Sequence, residues 1–125
     1  GEKFAMCTAN TILPNGEAIF VLDMVTGRLI GAGYNTQTGG FTNTYARNLA
    51  ADFRVVDNAQ YVMVSGTSNI RSSGGGLPPA TGVIYVGELN SGLVNMYAYA
   101  YGSGNRTFQN ELQLIASFPW RQSLN

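Results

Sequence analysis

The chain has 125 residues, with seven Lys and Arg against seven Asp and Glu, no His, one Cys and 45% hydrophobic residues. This length suits one ordinary domain that buries enough apolar surface to fold without disulfides or metals. The zero net charge without a basic run argues against nucleic acid, and no apolar run approaches the roughly 18 residues of a membrane-spanning helix. The low charge and the many Gly, Thr and Asn residues favour a secreted or periplasmic protein.

The sequence predicts an all-β fold with almost no helix. Runs of β-branched and aromatic residues alternate with turn residues, and no stretch keeps a helical period for more than two turns. Both Asp23–Gly27 and Glu88–Gly92 indicate a hairpin turn that ends on a left-handed glycine. The strands are expected at residues 3–12, 18–24, 28–35, 45–54, 60–69, 83–89, 93–101 and 110–118.

These eight strands form two copies of one four-stranded unit. Residues 18–29 align with residues 83–94 at an offset of 65, and residues 4–8 align with residues 61–65 at an offset of 57. The difference of eight is one insertion, because residues 71–82 replace residues 14–17. The aligned pairs include Ile19/Ile84, Val21/Val86, Gly27/Gly92, Leu49/Leu114 and Phe53/Phe118. We therefore predict a tandem repeat within one domain, with a first copy over residues 1–54 and a second over residues 55–125.

The repeated unit resembles a β-propeller blade. The segment from Ala18 to Leu29 is similar to the strand–turn–strand of WD-repeat and quinoprotein propellers. Leu49–Phe53, which leads into the strand at residues 61–66, resembles the innermost strand of a WD-type blade. The sequence departs from these families, because Leu22-Asp23 and Gly87-Glu88 replace the Trp-Asp dipeptide and the Gly-His pair is missing. The resemblance therefore implies the blade shape but no bound cofactor.

Two blades do not close a ring, because propellers contain about four to eight. We expect self-assembly into a homotrimer with six blades, which is similar to the way small fucose-binding lectins build rings from short chains. Residues 112–118 are predicted to pair with the strand at residues 4–8 of a neighbouring subunit. The predicted oligomer interface comprises Phe4, Met6, Leu112, Leu114 and Phe118. A single β-sandwich of about eight strands is the alternative fold.

No catalytic residue, metal site or cofactor is predicted. The chain lacks His, and Cys7 lies in an alternating apolar run that is typical of a small buried side chain. Asp23 and Glu88 occupy corresponding turn positions, where each carboxylate can accept backbone N–H groups. The expected function is a non-catalytic binding or scaffold ring, and a hydrolase that pairs carboxylates in space remains an alternative.

A carbohydrate-binding lectin is the other alternative. Period-two alternation over residues 96–101 would place three tyrosine rings on one face, where they could contact a sugar. The opposing interpretation is that these tyrosines pack between blades. Two loops, Thr36–Thr44 and Arg71–Gly82, are rich in Gly, Thr, Ser and Asn and suit contact with a carbohydrate or another protein. The candidate ligand-binding residues are Tyr97, Tyr99, Tyr101, Trp120 and Arg121.

Overall fold

The computed structural model describes residues 3–12, 16–71 and 76–123. These residues are mostly β, which confirms the all-β prediction. The described part of the chain contains two short helices, α1 (Leu49–Phe53) and α2 (Trp120–Ser123). Within the described residues the strands are β1 (Phe4–Asn10), β2 (Glu17–Asp23), β3 (Arg28–Asn35), β4 (Gly40–Asn48), β5 (Tyr61–Thr67), β6 (Gly82–Glu88), β7 (Leu93–Ala98), β8 (Phe108–Glu111) and β9 (Gln113–Phe118).

The strands form two sheets. Sheet A has the order β1-β2-β3-β4-β8, and sheet B has the order β5-β6-β7-β9. Neighbouring strands are antiparallel, except that β8 runs parallel to β4. The second half of the chain therefore supplies the last strand of sheet A.

The first three strands of each sheet pair in the same register. Residues that align at offsets of 57 and 65 have corresponding partners on the next strand. The matching Cα pairs are Phe4–Asp23 and Tyr61–Glu88 in the first hairpin, and Val21–Ile30 and Val86–Asn95 in the second. A shift of one residue would exchange the two faces of a strand, so the shared register gives corresponding residues corresponding places within each sheet.

Turn chemistry fixes this register. One carboxylate oxygen of Asp23 accepts the backbone N–H groups of Val25 and Thr26 at 2.9 and 3.1 Å. Gly27 then adopts a φ of 76°, which glycine tolerates better than other residues. The corresponding turn has the same design, because Glu88 accepts the N–H group of Ser91 at 2.6 Å and Gly92 has a φ of 70°.

The fourth segment of each half differs from the prediction. The strand expected at residues 45–54 ends at Asn48, where α1 begins, so the predicted innermost strand at Leu49–Phe53 is wrong. Leu49 and Phe53 lie four residues apart, and one helical turn buries both side chains. The strand expected at residues 110–118 is split into β8 and β9.

The predicted exchange of residues 112–118 with a neighbouring subunit is also wrong. β9 pairs antiparallel with β7 of its own chain, with Val94 opposite Phe118 and Met96 opposite Ala116. The ladder of β7 is open on the side away from β6, and β9 satisfies it without leaving the chain.

The first of the two long loops is shorter than expected. β4 begins at Gly40, so the first loop reduces to a turn in which the Asn35 side chain accepts the N–H group of Gln37 at 2.8 Å. In the second loop residues 72–75 lie outside the described residues. Pro79 forms an isolated bridge with Ala100, which ties this loop to the end of β7.

The core lies between the two sheets, and β1 lies against β5. Buried side chains from both sheets and from α1 form one continuous apolar cluster. Its large members are Phe20, Leu22, Leu29, Tyr45, Leu49, Phe53, Tyr61, Ile84, Val86, Tyr97, Tyr99 and Leu112. One face of each sheet is thus covered within the chain.

Candidate assembly interface

The other face of sheet A is apolar and exposed. Phe4 and Met6 on β1 are 53% and 60% exposed, and Ile30 on β3 is 43% exposed. Val21 of β2 lies opposite Met6 on one side and opposite Ile30 on the other, so these side chains share one face. We call this surface the outer face of sheet A.

Sheet B has an apolar outer face as well. Val62 and Val64 on β5 are 69% and 61% exposed, and Phe118 on β9 is 54% exposed. Val62 lies in one cross-strand row with Gly87, Val94 and Phe118. Monomeric soluble proteins rarely leave large contiguous apolar surfaces uncovered, so these two faces are candidate interaction surfaces.

The sequence alignment relates these outer faces to the core. In the first three strands of each sheet, the residues on the buried face of one sheet correspond to residues on the outer face of the other sheet. The buried positions Ala5, Cys7, Phe20, Leu22 and Leu29 of sheet A correspond to the outer positions Val62, Val64, Tyr85, Gly87 and Val94 of sheet B. The buried positions Tyr61, Met63, Ile84, Val86 and Asn95 of sheet B correspond to the outer positions Phe4, Met6, Ile19, Val21 and Ile30 of sheet A.

Unlike faces therefore meet in the core. If the two halves were related by a two-fold axis, corresponding faces of the two sheets would pack against each other in the core. The two exposed faces would then correspond to each other as well. In this chain the two exposed faces are instead complementary in the alignment. The outer face of sheet A corresponds to the face of sheet B that packs in the core, and the outer face of sheet B corresponds to the face of sheet A that packs there.

A polar network joins the two sheets beside the core. Arg47 of β4 donates two hydrogen bonds of 2.9 Å to Asp52 of α1, and the Tyr97 hydroxyl of β7 donates to the same carboxylate at 2.7 Å. Asn95 donates to the Tyr97 hydroxyl at 3.0 Å, and Ser117 of β9 donates to Asn95 at 2.7 Å. The network fixes α1 of the first half to sheet B.

The pKa of Asp52 reflects this environment. Burial disfavours the charged carboxylate, but the hydrogen bonds from Arg47 and Tyr97, together with the charge of Arg47, outweigh that effect and hold the pKa below its usual value. Asp52 is thus an ionised structural acceptor at neutral pH. A general acid needs the opposite shift, so Asp52 does not suit the general-acid role in the hydrolase alternative.

The three tyrosines proposed as a sugar platform are buried. Tyr97 is 0% exposed, and Tyr99 and Tyr101 are each 3% exposed. The Tyr99 hydroxyl donates to the carbonyl of Asn10, and the Tyr101 hydroxyl donates to the carbonyl of Tyr34 at 3.0 Å. Burial raises the pKa values of Tyr97 and Tyr99. These rings contribute to the core and offer no surface to a ligand.

Trp120 and Arg121, the other two candidates, lie together at the outer face of sheet B. The guanidinium carbon of Arg121 is 5.1 Å from the ring centroid of Trp120, and Arg121 also donates to the carbonyl of Leu89. Trp120 is half-buried and lines an apolar pocket with Val62 and Val94.

The predicted interface residues also divide into exposed and buried ones. Phe4, Met6, Leu114 and Phe118 are exposed by 39–60%, whereas Leu112 is fully buried in the core and is not available to a partner. Val62 and Val64 were not predicted from the sequence. Combining the repeat alignment with the strand alternation would have found them, since their counterparts Ala5 and Cys7 face the core.

Comparison with known proteins gives no relative: no family model, no curated protein and no solved structure matches this chain. Over the described ranges, no group of three His, Cys, Asp or Glu side chains is placed to hold a metal ion. Neither α1 nor α2 is long enough to span a bilayer.

Proposed function

We propose that this protein is a non-catalytic scaffold subunit that contributes two blades to a self-assembled β-propeller ring. One observation carries the proposal: the two outer faces of the chain correspond to the two faces that already pack in its core. The outer face of sheet A of one copy would cover the outer face of sheet B of the next copy, and the contact between sheets would be repeated around the ring.

The apolar surface supports this association. Phe4, Met6, Val62 and Val64 are all more than half exposed in the single chain, and full burial of such a side chain contributes about 1.5–3 kcal/mol. Because the contact joins unlike faces, it is head-to-tail, and it ends only when the rotation closes a ring. Three chains supply six blades, within the range of about four to eight seen in propellers.

The particle mass tests the proposal. Three chains of 13.4 kDa should give a particle of about 40 kDa by light scattering and native mass spectrometry. Val62→Asp places a charge on the outer face of sheet B and should yield monomers. Val56→Asp is the matched control, because Val56 is 94% exposed outside the strands, and it should leave the mass unchanged. A wild-type monomer at micromolar concentration would overturn the proposal.

A crosslinking experiment tests the head-to-tail direction. Cys7 is the only cysteine, so a Cys7→Ala chain is a clean background. Because β1 lies against β5 in the core, Met6→Cys of one chain should reach Val64→Cys of another. Oxidation of the mixture should give disulfide heterodimers, and each variant alone should stay uncrosslinked. Efficient homodimers of Met6→Cys would show that like faces meet and would contradict the ring.

A further inference from the structure

The outer face of sheet B contains an apolar pocket of about 460 Å³. Val62, Gly87 and Val94 lie side by side on three strands, and Leu89 and Trp120 also line the pocket. Gly87 has no side chain, whereas its counterpart Leu22 fills the same place on the buried face of sheet A. The pocket therefore lies at the position where sheet B lacks a large side chain.

The core shows which aromatic residue packs beside the corresponding turn of sheet A. Tyr61, the first residue of β5, is 6% exposed and packs edge-on against Phe53, with ring centroids 5.8 Å apart. A Cβ at Gly27 would lie 2.8 Å from the Tyr61 hydroxyl oxygen, so the aromatic ring sits directly beside this hairpin turn. Tyr61, at the start of sheet B, thus packs beside the hairpin turn of sheet A.

Two counterparts of these residues lie beside the pocket, and the third lies on the outer face of sheet A. Tyr61 aligns with Phe4 at the offset of 57, and Gly27 and Phe53 align with Gly92 and Phe118 at the offset of 65. Gly92 contacts Arg121, which follows Trp120, and Phe118 lies in the same row as Val62 and Val94. The free aromatic residue and the free pocket are therefore on opposite outer faces.

We infer that Phe4 of a second copy inserts into the pocket formed by Val62, Gly87, Leu89, Val94 and Trp120, and anchors the contact between subunits. This inference rests on the proposed ring and names the residue that determines its specificity. Phe4 is 53% exposed in the single chain. Unlike Tyr61 it carries no hydroxyl, so it brings no polar group that needs a partner into an apolar site.

Tryptophan fluorescence tests the anchor directly, because Trp120 is the only tryptophan. Phe4→Ala should shift the Trp120 emission to the red at concentrations where light scattering still detects assembled rings. It should also raise the dissociation concentration about thirtyfold, the loss expected for an interface hot spot. Val56→Ala is the matched control, because Val56 is 94% exposed and lies outside the strands. This control should change neither quantity.

The outcomes separate the inference from the proposed function. If the wild-type chain assembles but Phe4→Ala leaves emission and dissociation unchanged, the anchor is wrong and the ring stands. If the wild-type chain is monomeric, both fail. Emission that shifts with Phe4→Ala and stays constant with Val56→Ala supports the anchor.

Discussion

The fourth segments of the two halves align in sequence but fold differently. Residues 49–53 form α1, whereas the corresponding residues 114–118 lie in β9. Leu49 and Phe53 are 0% and 3% exposed, and their counterparts Leu114 and Phe118 are 39% and 54% exposed. The three preceding strands keep one register in both halves. Local turn chemistry thus fixes the hairpins, while the fourth segment adopts the structure that its surroundings favour.

The largest expected difference between the halves is in the free energy of unfolding lost when an aromatic side chain is removed. Phe20 is fully buried, and its counterpart Tyr85 is half-buried on the outer face of sheet B. In a Val62→Asp background, which should keep the chain monomeric, Phe20→Ala should lower the free energy of unfolding by about 3–5 kcal/mol. Tyr85→Ala should lower it by less than about 2 kcal/mol. Urea unfolding measures both, and equal losses would mean that the outer face is covered within the chain.

The polar network is the next test, because Asp52 has a carboxylate where its counterpart is Ser117. Asp52→Asn should cost about 2 kcal/mol, less than the roughly 3–5 kcal/mol of a fully buried pair, since the Arg47 side chain is 21% exposed. Ser117→Ala removes one hydrogen bond and should cost about 1 kcal/mol. A larger loss for Ser117→Ala would contradict this ranking.

The same residue gives the stability a pH dependence. The pKa of Asp52 is lowered in the folded chain, so the unfolded chain binds the proton more readily. The stabilisation is therefore fully present above the ordinary carboxyl pKa of about 3.9 and is lost as the pH falls through the lower, folded value. Between pH 5 and acid, urea midpoints should fall more steeply for the wild type than for Asp52→Asn, by about the same amount as the neutral-pH difference. Parallel curves would rule out the role of this carboxylate.

The two turn carboxylates, Glu88 and Asp23, should differ moderately in how much they stabilise the fold. Buried Glu88 accepts the N–H groups of Gln60 and Ser91 at 2.9 and 2.6 Å, whereas exposed Asp23 serves only its own turn. Glu88→Ala should lower the unfolding free energy by about 1–2 kcal/mol, because it leaves two backbone donors unpaired. Asp23→Ala should lose less, since water can replace its oxygen. Thermal melts of both variants compare the two turns, and a larger loss at Asp23 would contradict the assignment.

The smallest expected change in the free energy of unfolding comes from an Ala→Val substitution, and it should differ in sign between the two halves. Exposed Ala51 lies in α1, and its counterpart Ala116 lies in β9. Ala51→Val should destabilise by about 0.5 kcal/mol because a β-branched residue disfavours helix. Ala116→Val should be neutral or stabilising by a few tenths of a kcal/mol, because strands favour that residue. Denaturant midpoints with the same sign would show that local propensity does not separate the fourth segments.

The hairpins could be predicted from sequence because their signals are local. Asp23 and Gly27, repeated as Glu88 and Gly92, specify both turn and register within five residues. The helical structure of Leu49–Phe53 could not be predicted, because five residues are too few to show a helical period and the segment aligns with a strand. The sequence also left the place of Tyr97 open between a sugar platform and packing, since alternation shows that side chains share a face but not which face is covered.

The parallel pairing of β8 with β4 affects how the chain folds during synthesis. Asn43 lies opposite Phe108, so the edge of β4 stays open until the ribosome has released most of the second half. The local hairpins can form early, but this long-range contact comes late and is expected to be slow. A nascent first half therefore exposes an edge strand that can pair with another nascent chain. We expect cotranslational misassembly to begin at β4, and the arrival of β8 to end that period of vulnerability.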